Sequence, residues 1–201
     1  MKSRRDFLKS AGAVTTGIAK PGLWSSIAAS LFGETARAQA GKILGQWAPR
    51  RQPGTLWVWG GNGNGFLGLG DTVGRSSPVQ LTGSYVAVSA STGYQNAYFL
   101  KTDGTLWSAG NGGNGALGNG ANTSRSSPVQ IAGSWLQIAA GDRGAHGIKT
   151  NGTLFAWGYN SLGTLGTGTN TEYSSPIQIA GSWSQVSVNS GTAAAIRSDG
   201  T

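Results

Sequence analysis

The sequence predicts an all-β chain, a partial β-propeller of three four-stranded blades preceded by a helical or disordered N-terminal signal segment. Three observations predict it. Gly supplies 35 of the 201 residues, too many for a helical protein, because each Gly inside a helix costs ~1 kcal/mol relative to Ala. A set of short motifs returns in fixed order at spacings of 50, 48 and 48 residues. After residue 53 the apolar residues alternate in short runs bounded by Gly, Asn, Asp and Pro, and no window carries a helical period.

Residues 1–40 stand apart in composition. They hold six basic and two acidic side chains, against nine and five in the other 161 residues, so half of the net charge of +8 sits in the first fifth of the chain. Ser3-Arg4-Arg5-Asp6-Phe7-Leu8-Lys9 resembles the twin-arginine export signal at each of its fixed positions. Mildly apolar stretches follow, Ala11–Ala19 and Gly22–Phe32, separated by Lys20-Pro21. Ala38-Gln39-Ala40 before Gly41 is a small-x-small site of the kind signal peptidase cuts, which places Ala38, Ala40 and Gly41 at the cleavage point. The uncharged window Pro21–Gly33 is shorter than the ~20 residues of a membrane span, so no stable membrane anchor is expected. The resemblance implies passage through the twin-arginine translocase to a periplasmic or secreted location. Residues 41–53 fit no repeat and read as a linker or an initial strand around Trp47.

The repeats begin at residue 54. Gly54-Thr55-Leu56-Trp57 returns at Gly104–Trp107, at Gly152–Phe155 and, in its first two residues, at Gly200-Thr201. Ser76–Gln80 returns at Ser126–Gln130 and Ser174–Gln178, and Gly83-Ser84-Tyr85 at Gly133–Trp135 and Gly181–Trp183. The units are therefore 54–103, 104–151 and 152–199, with a fourth starting at 200. Each reads as four strands, exemplified in the first unit by Thr55–Trp59, Val79–Leu81, Tyr85–Val88 and Ala97–Leu100. Asp103-Gly104, Asn151-Gly152 and Asp199-Gly200 read as two-residue hairpin turns. Pro78, Pro128 and Pro176 read as strand heads, where a missing N–H costs least.

Four strands in about 50 residues, repeated, is a propeller signature. D-G-T-L-W-x-W-G, N-x-x-G-x-L-G-x-G, S-S-P-V-Q-I and G-S-W-x-Q-V, in that order, resemble the regulator of chromosome condensation repeat in its bacterial form, over Gly54–Thr201. The resemblance implies an arc of a seven-bladed ring that binds another macromolecule through its loops. Three units cannot close such a ring. A chain stopping two residues into a strand is expected to be a piece of a longer one, the other possibility being closure by several copies.

Composition excludes much chemistry. The chain has no Cys and one His, so disulfides, thiolate catalysis, iron–sulfur clusters and paired imidazoles are ruled out. No metal or cofactor is expected. Gly63–Gly68 and Gly113–Gly118 match G-x-G-x-x-G, but they recur with the repeat and precede no helix, so they read as turns rather than phosphate cradles. His146 beside Asp142 and Arg143 is the sole acid–His–base cluster, read as a solvated loop. Trp57, Trp59, Trp107, Phe155 and Trp157 recur at one point of the repeat and read as core.

Where the repeats disagree, loops on a shared scaffold are free to bind. That gives Arg75, Tyr94, Gln95, Asn96, Arg125, Asp142, Arg143, His146 and Tyr173 as candidate binding residues. The function expected is an exported protein–protein interaction or scaffold module, not an enzyme, with an unidentified protein partner. The alternatives are a fragment of an exported propeller hydrolase or lyase and, further off, a guanine-nucleotide exchange factor. The weakly basic mature chain predicts no specific nucleic-acid binding.

Overall fold

The computed structural model describes residues 53–91 and 93–199. The export-signal residues Ser3, Arg4, Arg5, Phe7, Leu8 and Lys9, the cleavage residues Ala38, Ala40 and Gly41, and Gly200 of the last expected turn lie outside them.

The described residues form antiparallel sheets. β1 (Gly54–Gly60), β2 (Arg75–Ala90), β3 (Asn96–Lys101), β4 (Leu106–Gly110) and β5 (Arg125–Ile131) pair in sequence order. β6 (Trp135–Ala140), β7 (Gly144–Lys149), β8 (Leu154–Gly158) and β9 (Tyr173–Ile179) make a second sheet, and β10 (Trp183–Val188) pairs with β11 (Ala193–Arg197). One short 3₁₀ turn, Gly113–Gly115, interrupts the β structure.

Two strands expected in the first unit prove to be one. Residues 75–81 of β2 pair with β1, and after a corner at 82–84 residues 85–90 pair with β3. The equivalent corner between β5 and β6 breaks the ladder and keeps only the bond from the Trp135 N–H to the Gly104 carbonyl, 2.8 Å. The repeat and the sheet are thus out of phase. Each complete sheet takes its first two strands from one unit and its last two from the next. The three units therefore yield two complete four-stranded sheets, residues 85–131 and 135–179, flanked by the half-sheets β1–β2 and β10–β11. Because the covalent repeat straddles the sheet boundary, neighbouring sheets are joined by chain as well as by packing.

The hairpins differ from expectation. The Lys101 N–H bonds to the Thr105 carbonyl and the Gly104 N–H to the Lys101 carbonyl. That is a three-residue loop, with Gly104 at φ +81° completing it. A two-residue primed turn would also need positive φ at Asp103, which its side chain opposes by accepting from the Thr105 N–H (2.9 Å) and hydroxyl (2.7 Å). Pro128 does not head its strand but is fourth in β5. It falls in the register shift between Ser108↔Val129 and Gly110↔Arg125, where no ladder bond is demanded of it. Pro78 and Pro176 occupy the same irregularity in β2 and β9.

The cores lie between sheets. Tyr98, Leu100, Leu106 and Ile131 of one sheet enclose Trp157 with Trp135, Ile138 and Ala145 of the next. Trp157 meets the rings of Trp135 at 5.7 Å and Tyr98 at 5.9 Å, both edge-on. Trp57 and Trp59, expected in the core, are instead 47% and 60% exposed. They sit on β1, which among the described residues has no strand on its other side.

Candidate functional site

Antiparallel pairing decides where the loops go. Alternate connections leave a sheet at the same end, so the links after β2, β6 and β10 share an end with the long Gly-rich loops after β1, β4 and β8. The hairpins at 102–105 and 150–153 fall at the opposite end. Eight of the nine candidate binding residues, all but His146 inside β7, therefore lie in, or border, the loops of one face, an arrangement that the sequence alone does not show.

At its centre is Arg143, between β6 and β7. Its guanidinium lies 4.9 Å from the ring centroid of Tyr94 and 4.9 Å from that of Tyr159. The two rings come from different sheets, so one cation of the second unit ties loops of the first and third units. The Asp142 carboxylate stands 3.9 Å from the Arg143 Nε. The Tyr94 hydroxyl donates to Asn114 Oδ1 (3.2 Å), and Asn114 Nδ2 donates to Glu172 Oε2 (3.0 Å). Asn64 Nδ2 donates to Gln95 Oε1 at 2.7 Å. Gln95 and Asn114 are the two non-Gly residues with positive φ among those described, both at 56°. Such backbone strain persists only where neighbours hold it, and these inter-loop bonds are the neighbours.

A cleft of about 200 Å³ opens beside Arg143, lined also by Asp142, His146, Tyr159, Leu162 and Val188. His146 is a correction to the sequence reading. It sits within β7, 3% exposed, and not in a solvated loop. Burial pushes its imidazole down to about 4, against hydrogen bonding to the Thr164 and Leu165 backbone, which raises it, so it is neutral at pH 7. Its Nδ1 has no hydrogen-bond partner. Asn96 is likewise corrected: it is fully buried in β3, with neither side-chain polar atom bonded, and cannot meet a partner. Arg75 is spent locally, on Asp71 at 2.6 Å, while Arg125 is exposed.

Four further residues build the face, of which the sequence reading named only Trp157, as core. Asn160 accepts from the Leu165 N–H (2.9 Å) and donates to the Thr169 (2.8 Å) and Thr171 (3.0 Å) carbonyls, closing its loop on itself. Asn62 does the same with Leu67, Asp71 and Val73. The available signal was a recurring Asn in two units, masked because Gly112 replaces it in the other. Tyr98 and Trp157 both donate to the Ala116 carbonyl and fasten the 111–124 loop from behind.

The loop face and offset sheets come with a sequence match. The regulator of chromosome condensation (RCC1) repeat matches residues 53–100, 103–145 and 151–196. The chain belongs to this family. RCC1-type propellers are also what it resembles in three dimensions. Human WBSCR16 superposes with a TM-score of 0.60 at 21% identity, over 74% of this chain and 46% of that one. Prp20p from Saccharomyces cerevisiae, described together with its binding properties to Gsp1p and histones, superposes at 0.62 and 19%, over 70% and 39%. Yeast RCC1 (Prp20) bound to Kap60 gives 0.60 and 18%, over 71% and 38%. The chain spans less than half the length of these RCC1-type structures. No curated protein sequence matches it.

Proposed function

We propose that this RCC1-repeat chain is an exported, non-enzymatic binding module that engages a protein partner through the loop face centred on Arg143. The observation that carries the reading is the stacked triple Tyr94–Arg143–Tyr159. It presents a preordered, exposed cation and two aromatic rims beside a cleft, the residue types that dominate protein interfaces. The ordering is already complete in the free chain, so little side-chain entropy is lost on contact. An acidic side chain of the partner suits the outward edge of the guanidinium.

The test compares partner recovery from a bacterial envelope fraction by the unaltered chain, by Arg143→Ala, and by Asp103→Asn at the opposite end of the sheets. Loss of the same recovered protein in Arg143→Ala alone supports the loop face. Equal recovery by all three rejects it. Export is tested separately, because Arg4→Lys with Arg5→Lys should leave the protein in the cytoplasm, and unchanged export rejects the twin-arginine assignment.

A further inference from the structure

The first unit is longer than the other two, and strand pairing shows where. Ala90 pairs with Ala97 and Ala140 with Ala145, so six residues (91–96) separate the paired ends of β2 and β3, against four (141–144) for β6 and β7. Val188 pairs with Ala193, again with four residues between. The two extra residues therefore fall in the link that carries Tyr94. The longer link brings the Tyr94 ring to Arg143 of the next sheet and its hydroxyl to Asn114. A Cβ on Gly113 would stand 2.6 Å from that hydroxyl, so the glycine is its seat.

Two more residues of this cluster break with the repeat. Tyr159 stands where the earlier units have Asn111 and Gly61, and Glu172 where they have Ser124 and Gly74. They are the first and last residues of the loop between β8 and β9, 159–172. One end of that loop is held by Arg143 against the Tyr159 ring, the other by Asn114 Nδ2 donating to Glu172 Oε2 (3.0 Å). The equivalent loop of the first unit, 61–74, has glycine at both ends and can make neither contact. Its sheet still packs, so the scaffold does not require them.

Asn114 closes the circuit. It is the repeat equivalent of Asn64, yet Asn114 alone of the two takes the left-handed φ of 56°. Asn64 bonds Gln95, whereas Asn114 uses both ends of its amide, Oδ1 for the Tyr94 hydroxyl and Nδ2 for Glu172. A non-Gly residue in that backbone region persists only where its surroundings over-determine it, and such residues gather at functional sites.

We infer that Asn114 and Glu172 are positioning residues of the binding face. Glu172 fixes Asn114, Asn114 fixes Tyr94, and Tyr94 with Tyr159 fixes the Arg143 guanidinium in the orientation that meets the partner. The inference rests on the reading of Arg143 as the centre of that face. Among the described residues neither Asn114 nor Glu172 forms a hydrogen bond or ion pair with Arg143, so their effect passes through Tyr94. The circuit joins all three units, and it orders the cation before contact, which spares entropy on binding.

The test uses the full 201-residue chain labelled with nitrogen-15 and reads the Arg143 Nε–H by relaxation. Its order parameter should be near the rigid value of about 0.85 in the unaltered chain and fall below about 0.6 in Glu172→Ala and Asn114→Ala. Gly113→Ala, which crowds the Tyr94 hydroxyl without reaching Arg143, should loosen it too. Glu172→Gln keeps an oxygen for Asn114 and should retain the order, a rescue that a merely structural role would not predict. Far-ultraviolet circular dichroism checks that each variant keeps its fold. Recovery of the protein captured by the unaltered chain should fall about threefold or more in Glu172→Ala and persist in Glu172→Gln. Adding Glu172→Ala to Arg143→Ala should lower it no further. An Arg143 side chain that stays ordered in both alanine variants, a Gln variant no better than Ala, or loosening with undiminished recovery overturns the inference. Undiminished recovery by Arg143→Ala itself would instead remove the reading beneath it.

Discussion

Trp157 in β8 and Ala116 in the loop after β4 are joined across a sheet boundary, the indole N–H donating to the carbonyl over 3.1 Å. The Tyr98 hydroxyl donates to the same oxygen from the side of its own sheet. One carbonyl of a Gly-rich loop is thus held by two aromatic side chains from two sheets. It is the point where core packing and the position of the binding face are set together.

Replacing Trp157 by Ala should therefore cost about 3–5 kcal/mol, the usual range for a buried aromatic reduced to Ala. The Ala116 carbonyl keeps Tyr98, so the loss comes mainly from the empty volume. Denaturant unfolding followed by circular dichroism measures it. Tyr98→Phe should cost only about 1 kcal/mol, one hydrogen bond with the ring retained.

Gly118→Ala and Gly166→Ala form a matched pair. Both residues have positive φ, +69° and +70°, so the backbone strain of about 1–2 kcal/mol is common to them. Only Gly118 lies against an indole. Its substitution should be the more damaging by a margin readable as a larger fall in thermal midpoint. Equal falls would contradict the packing described.

Asn160→Ala removes three bonds of one loop at once. The Leu165 N–H and the Thr169 and Thr171 carbonyls lose their partner. A stability loss of about 1–3 kcal/mol is expected where such groups stay dry. Amide hydrogen exchange should rise at Leu165 first, while the strands of β8 and β9 keep their protection.

His146 gives a pH signature. Its folded value of about 4 lies below the ordinary 6.5, so the unfolded chain binds the proton first. Stability is full above pH 6.5, declines as pH falls toward 4 by up to about 1.4 kcal/mol per unit, and levels below that. Asp71, held low by Arg75, and Asp103, held low by Thr105, act only at more acid pH, from below 3.8. Unfolding between pH 7 and 4.5 should therefore isolate the histidine, and His146→Ala, the residue type at the equivalent position 194, should flatten that slope.

Much of the fold was legible because it is periodic. The strands around Leu106 and Leu154 and the turns at Gly104 and Gly152 were found from motif spacing, since a hairpin and its alternating neighbours are local. What failed was whatever depended on a neighbour from another unit. Pro128 looked like a strand head because a bulge is visible only against the partner strand. Trp59 and Trp157 looked alike because they occupy the same place in the repeat, yet one is exposed and the other fully buried. Of the candidate site, variation between the units marked the loops, and pairing of the strands is what puts those loops at one end of the sheets. The burial of Asn96 and His146 was not legible, because a residue bordering a variable loop can still point into a sheet interface.

The sequence by itself determined the repeat, the strands and the family, all consequences of short-range pattern and of glycine and proline placed where the backbone needs them. Tertiary structure alone decided that the sheets run half a unit out of phase with the repeat, that the variable loops gather on one face around Arg143, and that Trp157 fills the space beneath Gly118. Those are relations between residues about 25 to 50 positions apart. They are fixed by which side chain is large where its neighbour is small, and that complementarity exists only once the sheets are packed.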